Sequence, residues 1–285
     1  MIRYRAAEVD GLDVFYRVGG EHERPALLLL HGFPSSSAQY QSLIERLEDR
    51  YYLIAPDYPG FGQSPPLEGA TTFDRLAEVI EAFTNALGLE QWSQYMFDFG
   101  APVGFRLATR HPERVQALVL QNGNAYEEGL GPAMQALRHY WQDRAANEDA
   151  VRGLLQLDAT RSQYVDGVAD ATTVNPDLWE LDQRYLELPG RDQVMLDLLY
   201  DYQNNVKLYP HWQEYLRANQ PPALLVWGQN DRFFPPAGTR GYLRDLREAE
   251  LHLLDTGHFA TATHHLEIAE LIAGFLDRHV AVRRP

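Results

Sequence analysis

Phe97-Asp98-Phe99-Gly100-Ala101-Pro102-Val103-Gly104 is the stretch that decides the fold. Residues 94–97 close a short run that reads as a buried strand, and residues 100–110 read as a helix. Pro102 suits a first helical turn, while Gly100 and Gly104 let helix and strand approach closely. An acidic side chain where a strand stops and a helix begins has the geometry of a nucleophile elbow. That motif is G-x-S-x-G when the nucleophile is serine; here a carboxylate replaces the hydroxyl. Asp98 reads equally well as an ordinary helix N-cap, and the stretch alone leaves both readings open.

Outward from this turn the chain alternates in type. Residues 2–9 and 12–18 read as strands joined at the Asp10-Gly11 turn, and residues 26–30, 51–55 and 115–121 are apolar runs typical of strands buried on both faces. Helical stretches at 37–48 and 73–87 separate them, the second carrying Leu76, Ile80, Phe83 and Leu87 at helical spacing. Two strands followed by repeated βα units predict an α/β fold, a mostly parallel sheet covered by helices.

The rhythm breaks from Asn124 to Tyr215, which is rich in Trp, Tyr, Leu, Asp and Gln and has helical stretches at 132–145, 148–157 and 192–202. It resumes with strands at 223–227 and 250–254 and helices at 237–246 and 266–279. The pattern predicts a core of residues 1–123 and 216–285, interrupted by a helical cap at 124–215. A separate helical domain is the alternative, and the sheet pattern on both sides favours insertion. The chain has no internal repeat and no low-complexity tract.

Composition narrows the function classes. The 285 residues are 45% hydrophobic, enough for a packed interior. The 25 Lys and Arg against 40 Asp and Glu give a net charge of −15, a field that repels phosphate backbones and anionic membranes. The most basic short stretch is Arg283-Arg284, so neither nucleic acid nor a membrane is expected as a partner. With no cysteine, thiolate nucleophiles, disulfides and Cys-type metal sites are excluded. Met1-Ile2-Arg3-Tyr4-Arg5 lacks the apolar core of a secretory signal, and no run approaches the roughly 20 apolar residues of a membrane span. The expectation is a soluble, cytoplasmic chain.

Three further signals stand at strand ends, where open parallel sheets place their ligands. His31-Gly32-Phe33-Pro34 would turn the backbone and present the Phe33 N–H. Asp231 ends Trp227-Gly228-Gln229-Asn230-Asp231, and His258 lies in Asp255-Thr256-Gly257-His258-Phe259. Singly, each is an ordinary loop residue. Together they follow the order nucleophile, acid, histidine. Gly60-Phe61-Gly62 lacks the third glycine of a dinucleotide turn, where Pro65 stands. His264 and His265 have no carboxylate partner at helical spacing and read as solvated, so no metal is expected.

These residues carry a resemblance. With Ala55-Pro56-Asp57-Tyr58-Pro59-Gly60-Phe61-Gly62-Gln63-Ser64 and His111-Pro112-Glu113-Arg114-Val115 added, the chain resembles the α/β-hydrolase fold superfamily. Within it, the chain looks like the aspartate-nucleophile branch of epoxide hydrolases and haloalkane dehalogenases, closer to the epoxide hydrolases. The resemblance implies a mostly parallel eight-stranded sheet with helices on both faces and an inserted helical cap. It implies that Asp98 forms an alkyl ester, that His258 held by Asp231 activates the water that splits it, and that the Phe33 and Phe99 N–H groups form the oxyanion hole, with no cofactor.

A carboxylate nucleophile gains nothing by attacking an ester, because the product is an anhydride, but it can displace a leaving group at saturated carbon. An epoxide then needs a proton donor, which a phenol supplies; a halide needs N–H donors. Tyr209, in Lys207-Leu208-Tyr209-Pro210-His211-Trp212, resembles the late-cap tyrosine of epoxide hydrolases. Tyr164, in Arg161-Ser162-Gln163-Tyr164-Val165-Asp166-Gly167-Val168, is similar to the early-cap one, with Tyr200, Tyr202 and Tyr185 in reserve. His31, Pro34, Trp141 and Phe259 are the expected substrate contacts, and Trp141, Trp179 and Trp212 are the indoles that could reach a halide.

The chain departs from the pattern at two places. Met96 replaces a small residue before the elbow, and residues 115–121 lead to Asn122-Gly123-Asn124 rather than to an acid. The second departure strengthens Asp231 as the partner of His258 and leaves Asp255 as a turn carboxylate. The implied function is hydrolysis of a small apolar epoxide with water, with a homodimer as the assembly to look for. The alternative is a haloalkane dehalogenase or another hydrolase using the same aspartyl-ester route. A non-catalytic binding protein is disfavoured because the triad residues are all present.

Overall fold

A computed structural model describes residues 1–280; Arg283 and Arg284 lie outside them. The described strands form one sheet: β1 (Arg3–Val9), β2 (Leu12–Gly19), β3 (Ala26–Leu30), β4 (Tyr52–Pro56), β5 (Trp92–Phe97), β6 (Val115–Gln121), β7 (Ala223–Gly228) and β8 (Ala249–Leu254). Their order is β1-β2-β4-β3-β5-β6-β7-β8. The β1–β2 and β2–β4 pairs are antiparallel and the rest are parallel. Helices α1 (Gln41–Leu47), α2 (Phe73–Ala86) and α3 (Gly100–Arg110) follow β3, β4 and β5. Between β6 and β7 lie α4 (Gln135–Gln142), α5 (Arg144–Arg152), α6 (Leu157–Val165), α7 (Asp177–Leu186) and α8 (Arg191–Asn219). Then α9 (Thr239–Asp245) precedes β8 and α10 (Ala260–His279) follows it.

The parallel strands are apolar at consecutive positions because both faces are covered. Leu27, Leu29, Leu53, Tyr95 and Val119 join a cluster with Leu43 and Ile44 of α1 and Ile272 and Phe275 of α10. Their alternates, Leu28, Leu30, Ile54, Met96 and Leu120, join another with Leu76, Ile80 and Phe83 of α2 and Val103 and Leu107 of α3. The expected eight-stranded, mostly parallel architecture with helices on both faces is therefore what the chain adopts.

Several helix boundaries differ from the sequence pattern. The stretch expected as one helix at 132–145 breaks at Asp143 between α4 and α5, and the one expected at 148–157 ends at Arg152, with α6 beginning at Leu157. Residues 37–40 form a 3₁₀ turn before α1, in which the Ala38 N–H donates to the Ser36 hydroxyl. The helix expected at 266–279 starts at Ala260, with non-helical backbone at His264 marking the kink. The helix expected at 192–202 is the front of α8, which runs 29 residues to Asn219, so the limit expected at 215 falls inside it. Pro210 removes one intrahelical donor there, but buried Tyr209, Trp212, Tyr215 and Leu216 hold the helix against the core across it.

Polar contacts pin α8 beside the sheet. Arg106 of α3 donates to Asn205 Oδ1 at 2.7 Å and to Asp74 Oδ1 at 2.5 Å. The N–H groups of Phe73 and Thr71, at the start of α2, donate to Asp201 and Asp197. Among the described residues, no helix is long and apolar enough to cross a membrane.

Candidate active site

The Asp98 turn is built by close packing. Asp98 sits at φ +49°, a strained conformation for a non-glycine residue. A Cβ on Gly32 would come within 2.4 Å of Asp98 Cβ, so only glycine lets the β3 loop lie against this side chain. Gly104 does the same for Met96: a Cβ there would meet the Met96 sulfur at 2.2 Å. The large residue before the elbow is thus accommodated by the absence of a side chain on α3.

Asp98 is not a helix cap. The N-cap of α3 is Phe99, with no side-chain cap bond, and the Asp98 carboxylate points to the β3 loop and His258. The Phe33 N–H donates to Asp98 Oδ1 at 2.6 Å, and the Phe99 N–H also donates to this carboxylate. Burial pushes the carboxyl up to about 6, against the opposing pull of His258 and the two N–H groups. It is therefore mostly ionised at neutral pH while shielded from water.

His258, on the loop after β8, places Nε2 3.7 Å from Asp98 Oδ2 and Nδ1 2.7 Å from Asp231 Oδ2. Burial works against its protonation, but the Asp231 charge and hydrogen bond, with the Asp98 charge, raise its pKa above the ordinary value. Asp231 is held from two further sides: Asn122 Nδ2 donates to Oδ2 at 2.8 Å and the Phe233 N–H donates to Oδ1 at 2.7 Å. Gln121 Nε2 donates to the His258 carbonyl at 3.0 Å, and its own Oε1 accepts from the Tyr95 hydroxyl. Asp255 accepts from Gln229 and Asn230 and stays a turn carboxylate.

Above this floor lies a small cavity, about 40 Å³, lined by Phe33, Asp98, Phe99 and His258 from below. Phe233 and Phe234 follow Asp231, while Ala133, Met134, Leu137, Leu154 and Leu199 make most of the roof. Two polar cap side chains complete it, Tyr202 and Gln163. Among the described residues no indole lines it: the Trp141 Nε1–H donates to the Leu199 carbonyl at 2.8 Å, and Trp179 and Trp212 pack elsewhere.

The two tyrosines expected as proton donors do not line the cavity. Tyr209 lies behind Tyr202, their hydroxyls 3.4 Å apart, and Asn124 Nδ2 donates to the Tyr209 oxygen at 3.2 Å. The two hydroxyls share one hydrogen bond, in which either can donate. Burial, with Tyr209 beside it, raises the Tyr202 pKa well above the phenol range, so its proton is retained. Tyr164 is turned away altogether: its hydroxyl donates to Asp182 Oδ2 at 2.5 Å and its ring stacks on Phe259 at 3.9 Å.

The expected substrate contacts are corrected in the same way. The His31 ring is fully buried, accepting from the Tyr58 N–H on Nε2 and facing the Gly32 carbonyl with Nδ1, and burial lowers its pKa to about 3. It is a neutral brace for the loop that presents Phe33. Pro34 is buried in that loop. Trp141 stacks behind Tyr202, and Phe259 packs below Phe97. None of the four lines the cavity.

Asn122, Asn124 and Gln163 were not singled out as site residues. The first two occupy the strand end noted above for lacking an acid, and Asn122 adopts φ +44°, a conformation asparagine tolerates. Among the described residues, no group of three His, Cys, Asp or Glu is placed to hold a metal ion.

The alpha/beta hydrolase fold family matches residues 25–264. An uncharacterized hydrolase of Saccharomyces cerevisiae is 42% identical over 269 residues, 92% of this chain and 93% of that one. Haloalkane dehalogenase 2 of Mycobacterium tuberculosis is 38% identical over 99 residues, 34% of this chain and 35% of that one. The crystal structure of haloalkane dehalogenase DbeA from Bradyrhizobium elkani superposes with a TM-score of 0.74 at 21% identity, covering 98% of each chain, which is a likeness of fold.

Proposed function

The chain belongs to the alpha/beta hydrolase fold family, and from that premise we propose that this hydrolase opens a small epoxide to a vicinal diol through an ester on Asp98. The observation that carries the reading is the pairing of floor and roof. A buried carboxylate faces a phenol, Tyr202, across a mostly apolar cavity that no indole among the described residues lines.

An Asp98 oxygen attacks a ring carbon, the carbon–oxygen bond breaks, and the ring oxygen takes the Tyr202 proton. Esterification then removes the Asp98 charge, one of the causes that raise the His258 pKa. The imidazole is thereby freed to act as a base, oriented by Asp231. Water gives a proton to His258 and attacks the ester carbonyl. The resulting oxyanion lies where the Phe33 and Phe99 N–H groups already meet the carboxylate. On collapse the bond from the carboxyl carbon to the substrate oxygen breaks, and the departing alkoxide takes the proton of the added hydroxyl. The diol leaves, Asp98 is left ionised, and the imidazolium proton returns through solvent to the phenolate.

A second reading, halide displacement on the same Asp98, is favoured by the partial likeness to haloalkane dehalogenase 2. The lining offers less to a departing halide, since phenyl rings stand at Phe33 and Phe99. A panel of styrene oxide, cyclohexene oxide and 1-chloro- and 1-bromoalkanes separates the two. Diol formation from an epoxide is expected; halide release with no diol from either epoxide would replace the first reading by the second.

A further inference from the structure

Gln163 is the polar side chain of the cavity wall that neither the triad nor the phenol pair uses. It is 5% exposed and lines the same space as Asp98, Tyr202 and His258. Among the described residues its carboxamide has no hydrogen-bond partner. Its amide atoms are open to the cavity space and not sealed inside the protein, so a bound ligand can pair them.

The direction of this side chain is set by its neighbours on α6. The Thr160 hydroxyl donates to Gln183 Oε1 at 2.8 Å, and the Tyr164 hydroxyl donates to Asp182. These residues, four apart and so on one helical face, bind α6 to α7. On another side Arg232, next to Asp231, donates to the Ser162 hydroxyl at 2.7 Å. With those faces occupied, Gln163 is the residue left to the cavity. The early-cap position resembling a tyrosine is thereby filled one residue earlier and by an amide.

We infer that Gln163 is a second substrate-binding donor: its Nε2–H holds the epoxide oxygen beside the Tyr202 hydroxyl, so ring opening uses one phenol and one carboxamide. The assignment rests on the epoxide reading of the site. The two donors have unequal work. When the ring bond breaks, its electron pair goes to the ring oxygen, which takes the phenol proton. The carboxamide keeps its protons, and its hydrogen bond strengthens as charge builds on that oxygen. Its effect therefore falls on formation of the Asp98 ester and not on its hydrolysis, where the charge gathers at the Phe33 and Phe99 N–H groups.

The test is single-turnover kinetics with styrene oxide on Gln163→Met, which keeps the side-chain length and removes the donor. Ester formation is expected to slow on the order of 100-fold, with ester hydrolysis unchanged to within about twofold. Gln163→His restores an N–H and is expected to recover part of the loss, which a purely packing role would not produce. A near-wild-type rate of ester formation in folded Gln163→Met would overturn the assignment while leaving the epoxide reading intact. Slowed hydrolysis alone would overturn it too, by moving the amide to the water. A wild type that forms no ester from any epoxide removes the function itself, and the assignment with it.

Discussion

The floor of the cavity is made by strand ends and its roof by helix faces, and the two follow different rules. Asp98, Asp231 and His258 each sit where a parallel strand stops, so sheet order and hydrogen bonding bring them together. Their surroundings are main-chain N–H groups and short polar side chains: Phe33, Phe99, Phe233, Asn122 and Gln121. The roof has no such frame. Which residues of α6 and α8 look inward depends on how those helices are rolled and pinned, by Arg106 and Asn205 on one side and Tyr164 and Asp182 on the other. The floor is held against change by backbone geometry. The roof can be re-specified one side chain at a time.

The sharpest way to break this contrast is on the floor. Asp98→Asn is expected to abolish turnover, a loss of about ten-thousand-fold or more, without loss of the fold; the check is kcat/KM beside a thermal melt. On the roof, Tyr202→Phe is expected to cost about 100-fold or more in epoxide opening and to leave ester hydrolysis unchanged, as read by single-turnover kinetics. An equal loss in both steps would place the phenol in packing instead of proton transfer.

The pH profile reports the floor alone. The proposed attack needs the ionised carboxylate, and the Asp98 carboxyl stands at about 6. As pH falls through that value, protonation removes the nucleophile, so kcat/KM is expected to drop about tenfold for each further unit. The Tyr202 proton is held well above the phenol range, so loss of the roof's proton donor should not limit the rate near neutrality. The smallest effect belongs to Tyr209→Phe, which removes the hydroxyl behind Tyr202 but no group lining the cavity. A several-fold loss is expected, and a loss equal to that of Tyr202→Phe would put both phenols in the reaction.

This contrast also explains what the sequence could convey. The strands were legible because a strand buried on both faces is a continuous apolar run, as at Ala26–Leu30 and Ala223–Gly228. Asp98 could be picked out because it follows β5 directly, and Asp231 and His258 because they stand three and four residues past the ends of β7 and β8. The roof was not legible for a geometric reason. Tyr202 and Tyr209 are two turns apart on one face of α8, and no local pattern states which lies nearer Asp98. On α6, Gln163 and Tyr164 are adjacent and point in different directions, and the side that faces Asp98 is fixed only by contacts to Asp182 and Gln183, some twenty residues on. Asn122 stands out by no local pattern, because its value lies in donating to the acid that follows the neighbouring strand.

The central claim is that Asp98 becomes covalently bonded to substrate carbon and that His258 releases it. The direct measurement is mass spectrometry of the Asp98 peptide from His258→Gln protein incubated with styrene oxide. An increment equal to one substrate molecule on that peptide, absent from Asp98→Asn protein treated identically, is the predicted result. An unmodified Asp98 peptide from protein that still consumes the epoxide would contradict it.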